Sequence, residues 1–352
     1  MPLPDLLTSL LTAPGPSGYE TAPARVWREA AAEFGAEVSG DVVGSSVARV
    51  KGTGDGPLTI VVGHIDEIGL VVRHIDDNGY LWFGGIGGWD PQILVGQRVE
   101  VVTRDGSLPG VVGKKPIHLL KDEERKKAPE LKDLHIDVGA KDGDEARSLV
   151  RIGDVAVIAG EPVELLGERV VSRSMDNRLG AFVAFEAARL VAADGGAPGD
   201  VAAVAVAQEE ITLAGATTSA FALEPGVAIV VDVTFATDAP GIDEKEQGKH
   251  EMGSGPVIMR GSTIHPAIFE LLYETAEAHK IPFTVDASSR YTGTDADAIH
   301  LSRRGVPTGI VSVPLRYMHS PVELVQLDDV HNAARLIAAF AQRVGPGTSF
   351  DR

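Results

Sequence analysis

The chain has 352 residues, of which 44% are hydrophobic and 23% charged, a balance that supports a folded globular protein with a full core. Its 32 Lys and Arg against 50 Asp and Glu give a formal charge of −18, which argues against broad contact with nucleic-acid phosphates. There is no cysteine, which excludes disulfides, thiolate zinc sites, iron–sulfur clusters and a cysteine nucleophile; any metal must be held by His, Asp and Glu, and a reducing compartment, the cytoplasm, is expected.

The first basic residue is Arg25, so no positively charged leader is expected, and the apolar runs 201–207 and 227–231 are too short to span a bilayer. In chain order, apolar spacing predicts a short amphipathic helix over 6–13 and a second over 22–34, then strands over 46–51 and 58–63 with His64 at the end of the second. From 70 to 162 the texture is one of short β-like pieces between glycines: 70–75, 80–83, 98–103, 108–112, 135–138 and 155–159, with one helix over 142–150. The charge-dense stretch 121–133 reads as a solvated loop. Beyond 170, helices (180–193, 215–222, 266–279, 295–302, 327–344) alternate with strands (201–206, 228–233, 257–260, 283–287, 307–313). That alternation predicts an α/β sandwich with a mostly parallel sheet, residues 1–69 plus 163–352, interrupted by a small inserted β-barrel-like domain at 70–162.

In open α/β sheets, sites gather at the carboxyl ends of strands. Polar clusters fall at such ends: His64-Ile-Asp66-Glu67, Ser174-Met-Asp176-Asn177-Arg178, Gln208-Glu209-Glu210, Asp232 and Met318-His319-Ser320. Together they offer only His, Asp and Glu, a donor set for a hard or borderline divalent metal. His64 and Asp66, two apart on an extended segment, share a face, as a ligating imidazole and an orienting carboxylate would. Asp176 is placed either to cap the following helix or to bridge two cations. Glu209 and Glu210, read as ending an apolar strand, face opposite ways, which suits one ligand and one general base. Asp232 sits in the apolar run Ile229-Val-Val-Asp-Val and needs a partner, a metal or a buried cation. Asp295 or Thr294 is expected to cap a helix, and the glycine run 84–88 lacks the context of a nucleotide fingerprint.

The ordered set Pro16-Ser-Gly-Tyr-Glu, GHIDEIG at 63–69, KPIH at 115–118, SMDNRLGA at 174–181, QEE at 208–210, VDV at 231–233, TGTDADAIH at 292–300 and HSPVE at 319–323 resembles the TET-type (tetrahedral) aminopeptidases, dinuclear metallopeptidases that include glutamyl aminopeptidases. The resemblance covers nearly the whole chain and implies a zinc-peptidase-like αβα sandwich. It implies two divalent ions per subunit, zinc, cobalt or manganese, with His64 and Asp232 holding one, Glu210 and His319 the other, and Asp176 bridging. Glu209 would be the general base and Asp66 would orient His64. Peptides with a free N-terminus are the implied substrates, and dimers formed through the insert, six of them closing into a dodecamer, the implied assembly. Two stretches depart from the pattern: Ile211-Thr-Leu-Ala-Gly follows QEE, with Ala214 where an Arg is often present, and Thr292-Gly293 replaces a glycine pair. A related dinuclear amidohydrolase acting on acylated amino acids or C-termini, and more remotely a glycosidase, are the competing activities.

Overall fold

The computed structural model describes residues 2–351. Its strands are β1 (Glu37–Gly40), β2 (Ser46–Val50), β3 (Gly56–His64), β4 (Gly69–Ile75), β5 (Leu81–Ile86), β6 (Arg98–Thr103), β7 (Gly106–Gly113), β8 (His135–Asp137) and β9 (Val155–Ile158). They continue as β10 (Val163–Leu165), β11 (Arg169–Ser172), β12 (Gly199–Val206), β13 (Val227–Phe235), β14 (Val257–Gly261), β15 (Thr284–Ser288), β16 (Thr308–Arg316) and β17 (Glu323–Gln326).

The apolar runs expected to be buried strands form the middle of an 11-stranded sheet of order β1-β2-β12-β3-β13-β16-β17-β11-β10, with β14 paired to β16 and β15. The centre, β12, β3, β13 and β16, is parallel, as the strand–helix alternation predicts. Both flanks are antiparallel. Every residue of β12 is buried, which explains its unbroken run of small apolar residues: a strand covered on both faces has no solvent side to mark with polar residues. The helix Met175–Ala193 packs on β3, β12 and β13 and against the long helix Leu327–Arg343. Its approach to β3 is so close that a Cβ on Gly63 would collide with the backbone of Gly180, which is why the residue before His64 is glycine.

Strands β4 to β9 close into a barrel of order β4-β5-β8-β7-β6-β9, with its own core of Leu70, Val72, Leu81, Val99, Val101, Ile136 and Ala156. All six short pieces expected between 70 and 162 are strands of this barrel. The stretch 121–133 is largely exposed, yet it is not uniform loop: it holds a helical turn, Asp122–Arg125, and a 3-10 turn, Leu131–Asp133. The helix expected over 295–302 is only Ala296–Ile299, and the chain continues as turns in which Arg303 and Gly305 take positive φ. Strands β1, β10 and β17 were not anticipated; each has three or four residues, and β10 is exposed throughout, so no apolar pattern marks it. Among the described residues no helix is long and apolar enough to cross a membrane.

Candidate metal centre

The strand ends converge. His64 closes β3, Asp232 lies within β13, Glu209 and Glu210 follow β12, Asp176 opens the helix Met175–Ala193, and His319 follows β16. Nε2 of His64 lies 3.2 Å from Oδ1 of Asp176 and 3.6 Å from Oε2 of Glu209. Nε2 of His319 lies 3.4 Å from Oδ2 of Asp176 and 3.4 Å from Oε1 of Glu210. Ligand-type atoms of His64, Asp176 and Glu210 all fall within 4.8 Å of one another, as do those of His64, Glu209 and Asp232. All the metal-centre candidates named from the sequence are thus brought into one cluster.

The two imidazoles are arranged alike. Nδ1 of His64 is 3.2 Å from the carbonyl oxygen of Asp66 and 3.5 Å from its Oδ1, and Nδ1 of His319 is 2.8 Å from the carbonyl oxygen of Gly88. A ring nitrogen facing a carbonyl carries the proton and donates, which leaves each Nε2 with its lone pair toward the carboxylates, the tautomer a metal ligand needs.

The carboxylates crowd one another around the two imidazoles. Burial, opposed by His64 but reinforced by Asp232 and Asp295, pushes Glu209 up to about 9. Burial and Asp176 push Glu210 up to about 8, and the same two causes push Asp232 up to about 7. Burial, with Asp232 and Asp66 adding to it against His64, holds Asp295 well above the usual carboxylate range. Burial would also raise Asp176, but His319 and His64 outweigh it and hold that carboxylate well below the usual range. Conversely, burial opposes the charge on His64, yet Glu209, Asp176 and Asp66 raise its pKa well above the ordinary value. Asp176 raises His319 to about 10 against burial, with help from Glu210. Asp176, Glu209, Glu210 and Asp232 with two imidazoles offer the oxygen and nitrogen donors that divalent cations take, and bound cations would displace the protons that these crowded groups otherwise hold.

A supporting layer fixes these groups. The Asp66 carboxylate accepts the backbone N–H of Glu209 and of Glu210, each at 3.1 Å. Glu323, fully buried, accepts the N–H of Asp176 at 3.0 Å and of His319 at 2.8 Å, so one side chain ties the central carboxylate to an imidazole. Sequence reasoning gave Glu323 no role; its place in the His319-Ser-Pro-Val-Glu motif was the signal. Two expectations need correction. Glu209 and Glu210 do not end a strand but open a helical turn, Glu209–Thr212, after Gln208 takes φ +61; they reach different imidazoles because the turn splays successive side chains, not because a strand alternates them. Of the two candidate caps, Thr294 serves, accepting the N–H of Ala296 at 3.2 Å, while Asp295 makes no cap bond and is buried.

The barrel also touches the centre. Gly87 and Gly88 follow β5, and a Cβ on either would come within 3.2 Å of Glu210 Oε2 or His319 Nδ1. The glycine run that carried no nucleotide meaning is therefore what lets barrel backbone lie against the cluster. A cavity of about 1050 Å³ opens from the centre, walled by Phe235, Met259, Asp286, Arg290 and Tyr291, wide enough for a peptide end.

A family model, M42 glutamyl aminopeptidase, matches residues 44–336. The chain is 36% identical over 345 residues to a lysyl aminopeptidase of Pyrococcus furiosus, covering 97% of each. Among solved structures it is similar to a TET aminopeptidase from the marine sediment archaeon Thaumarchaeota archaeon SCGC AB-539-E09, with a TM-score of 0.92 at 36% identity over 97% of this chain and 96% of that one. It is also similar to the TET1 peptidase of Pyrococcus horikoshii, which can assemble into a tetrahedron or a large octahedral shell, with a TM-score of 0.84 at 32% identity over 96% and 99% of the two chains. The motifs, the fold and these likenesses agree, and the chain belongs to the M42 glutamyl aminopeptidase family.

Proposed function

We propose that this aminopeptidase removes residues from the free N-termini of peptides with two divalent cations, one held by His64 and Asp232, the other by Glu210 and His319, with Asp176 shared between them. Zinc, cobalt and manganese all suit a set of imidazoles and carboxylates. The observation that carries the reading is Asp176, whose Oδ1 is 3.2 Å from His64 Nε2 while its Oδ2 is 3.4 Å from His319 Nε2. One oxygen toward each imidazole is what a bridging carboxylate requires.

Bound there, the cations would lower the pKa of water and polarise the scissile carbonyl. Glu209 is assigned as the general base. Its carboxylate lines the cavity beside His64, so with cations bound it would take a proton from water and carry it to the leaving amine. Asp66 holds the Nδ1–H of His64 and so keeps Nε2 turned inward. A substrate α-ammonium held beside these carboxylates would favour free N-termini over blocked ones. A reducing compartment, the cytoplasm, fits the cysteine-free sequence.

The barrel is assigned as the dimer contact and six dimers as a tetrahedral dodecamer. Support comes from the tetrahedral P. horikoshii relative and from the exposed Ile117, Leu119 and Ile152 between the barrel strands, each more than 60% exposed. Light scattering is expected to give a mass near twelve chains; a dimer at every concentration, with metal added, would reject the cage. The activity is tested by mass spectrometry of a mixed peptide pool. Stepwise loss of N-terminal residues from free peptides, with N-acetylated peptides intact, is expected. Release of C-terminal residues or of acyl groups would overturn the reading.

A further inference from the structure

The Pro16-Ser-Gly-Tyr-Glu segment contributes nothing to the metal cluster, yet its bonds run to residues that flank the cluster and to the barrel beside it. Pro16 forms a parallel bridge with Glu67, in which Ser17 N–H donates to the Glu67 carbonyl at 3.1 Å and Glu67 N–H to that of Gly15 at 3.2 Å. The Ser17 hydroxyl donates to Oδ2 of Asp66, both side chains being buried. Gly18 turns the chain at φ +86, and the Tyr19 hydroxyl donates to the carbonyl of Gly153 in the barrel at 3.0 Å. Oε1 of Glu20 accepts the N–H of Gly18 at 2.6 Å and of Gln208 at 3.0 Å. Beneath, the fully buried Arg178 guanidinium donates to the carbonyls of Ala13 and Gly15 and to Glu67, which fixes the segment from below.

Three consecutive amides, of Gln208, Glu209 and Glu210, are therefore held by two carboxylates, Glu20 and Asp66, and one of those carboxylates is itself held by Ser17. This matters because Gln208 sits at φ +61, a left-handed conformation unfavourable for a residue with a side chain, so the turn needs external bonds to stay where it is. Without the Ser17 hydroxyl, Oδ2 of Asp66 retains only the Glu210 amide, and the carboxylate loses the one side-chain donor that holds it from outside His64 and the turn.

We propose that Ser17 is a positioning residue, which acts through Asp66 to fix the Glu209 turn against the metal centre; the inference rests on the reading of Glu209 as the general base. Small displacements of a proton-transfer group cost rate while leaving substrate binding nearly intact. Loss of the hydroxyl in Ser17→Ala is expected to lower kcat roughly tenfold, with KM within about twofold, on the scale by which misplacement lowers the rate of an oriented reaction.

The test compares wild type, Ser17→Ala and Ser17→Thr by steady-state kinetics on a dipeptide amide, by metal content, and by hydrogen exchange of the 207–213 segment. Ser17→Ala should exchange faster at 208–210 alone, keep its metal and lose kcat; Ser17→Thr, which retains the hydroxyl, should restore both readouts. Glu20→Ala, a second variant for the case in which Ser17→Ala fails to fold, should speed exchange at Gln208 and lower kcat more weakly. Unchanged exchange, unchanged kcat despite faster exchange, faster exchange throughout the core, or metal lost in proportion to kcat would each overturn the positioning role. Full activity of Glu209→Gln would instead overturn the reading of Glu209, while the exchange difference would still stand.

Discussion

Oε2 of Glu209 lies 3.6 Å from Nε2 of His64, whereas the adjacent Glu210 turns its Oε1 to His319 at 3.4 Å. Two neighbouring glutamates on one helical turn thus serve opposite sides of the cluster. Each falls in a ligand-type triad, Glu210 with Asp176 and His64 and Glu209 with His64 and Asp232, so the proposed division into ligand Glu210 and base Glu209 is separated by variants. Glu209→Gln is expected to keep its bound metal and lose roughly 10²–10⁴-fold in kcat, the usual worth of a general base. Glu210→Ala is expected to bind less metal. Metal analysis beside kinetics checks both, and the reverse pattern would exchange the two roles.

The crowding of carboxylates gives the metal-free protein a distinctive response to pH. Glu209, Glu210 and Asp232 are raised from 4.5, 4.5 and 3.8 to about 9, 8 and 7, so the folded state holds protons that the unfolded chain releases at lower pH. A carboxyl raised in this way contributes stability that is complete below its unfolded pKa and is lost as pH rises through its folded pKa. His319, raised to about 10, acts with the same sign, while the depressed Asp176 acts with the opposite sign only in the acid range. The Tm of metal-free protein should therefore fall between about pH 5 and about pH 9. Added zinc should flatten that slope, since cations favour the ionised carboxylates. The same slope with and without zinc would show that the cluster does not need a cation.

Glu323 offers a test away from the cations. It is buried and accepts two backbone N–H groups, those of Asp176 and His319. Burial and Asp176 raise its pKa well above the usual range against those two amides. Glu323→Ala leaves both donors unsatisfied, at a cost of about 1–3 kcal/mol each. Thermal unfolding should report a clear loss of Tm, and metal affinity should fall with it because Asp176 and His319 lose their common anchor. Glu323→Gln, which retains one acceptor oxygen, should lose less of both. An unchanged Tm in Glu323→Ala would remove Glu323 from the support of the centre.

The parts of the molecule that could be read from sequence are those whose signal is local. The run Val201-Ala-Ala-Val-Ala-Val announces a strand buried on both faces, and the short β pieces between 70 and 162 announce the barrel through their glycines. The polar residues that interrupt such runs, His64 and Asp232 above all, mark the cluster because nothing else explains them there. What could not be read depends on distant partners. Glu323 earns its place through an amide 147 residues away, and Gly88 through a histidine 231 residues away. The helical turn of Glu209 and Glu210 was hidden because nothing in Gln208 foretells a left-handed residue; Asp66 and Glu20 supply that geometry from elsewhere in the chain.

The central claim is that two cations share Asp176, and metal titration of exhaustively chelated protein tests it most directly. Elemental analysis and aminopeptidase rate are followed together as zinc or cobalt is returned. The expected result is no hydrolysis without metal, two ions bound per chain at saturation, and recovery of activity that parallels their binding. Full hydrolysis in the metal-free protein, or saturation at a single ion in a fully active enzyme, would contradict it.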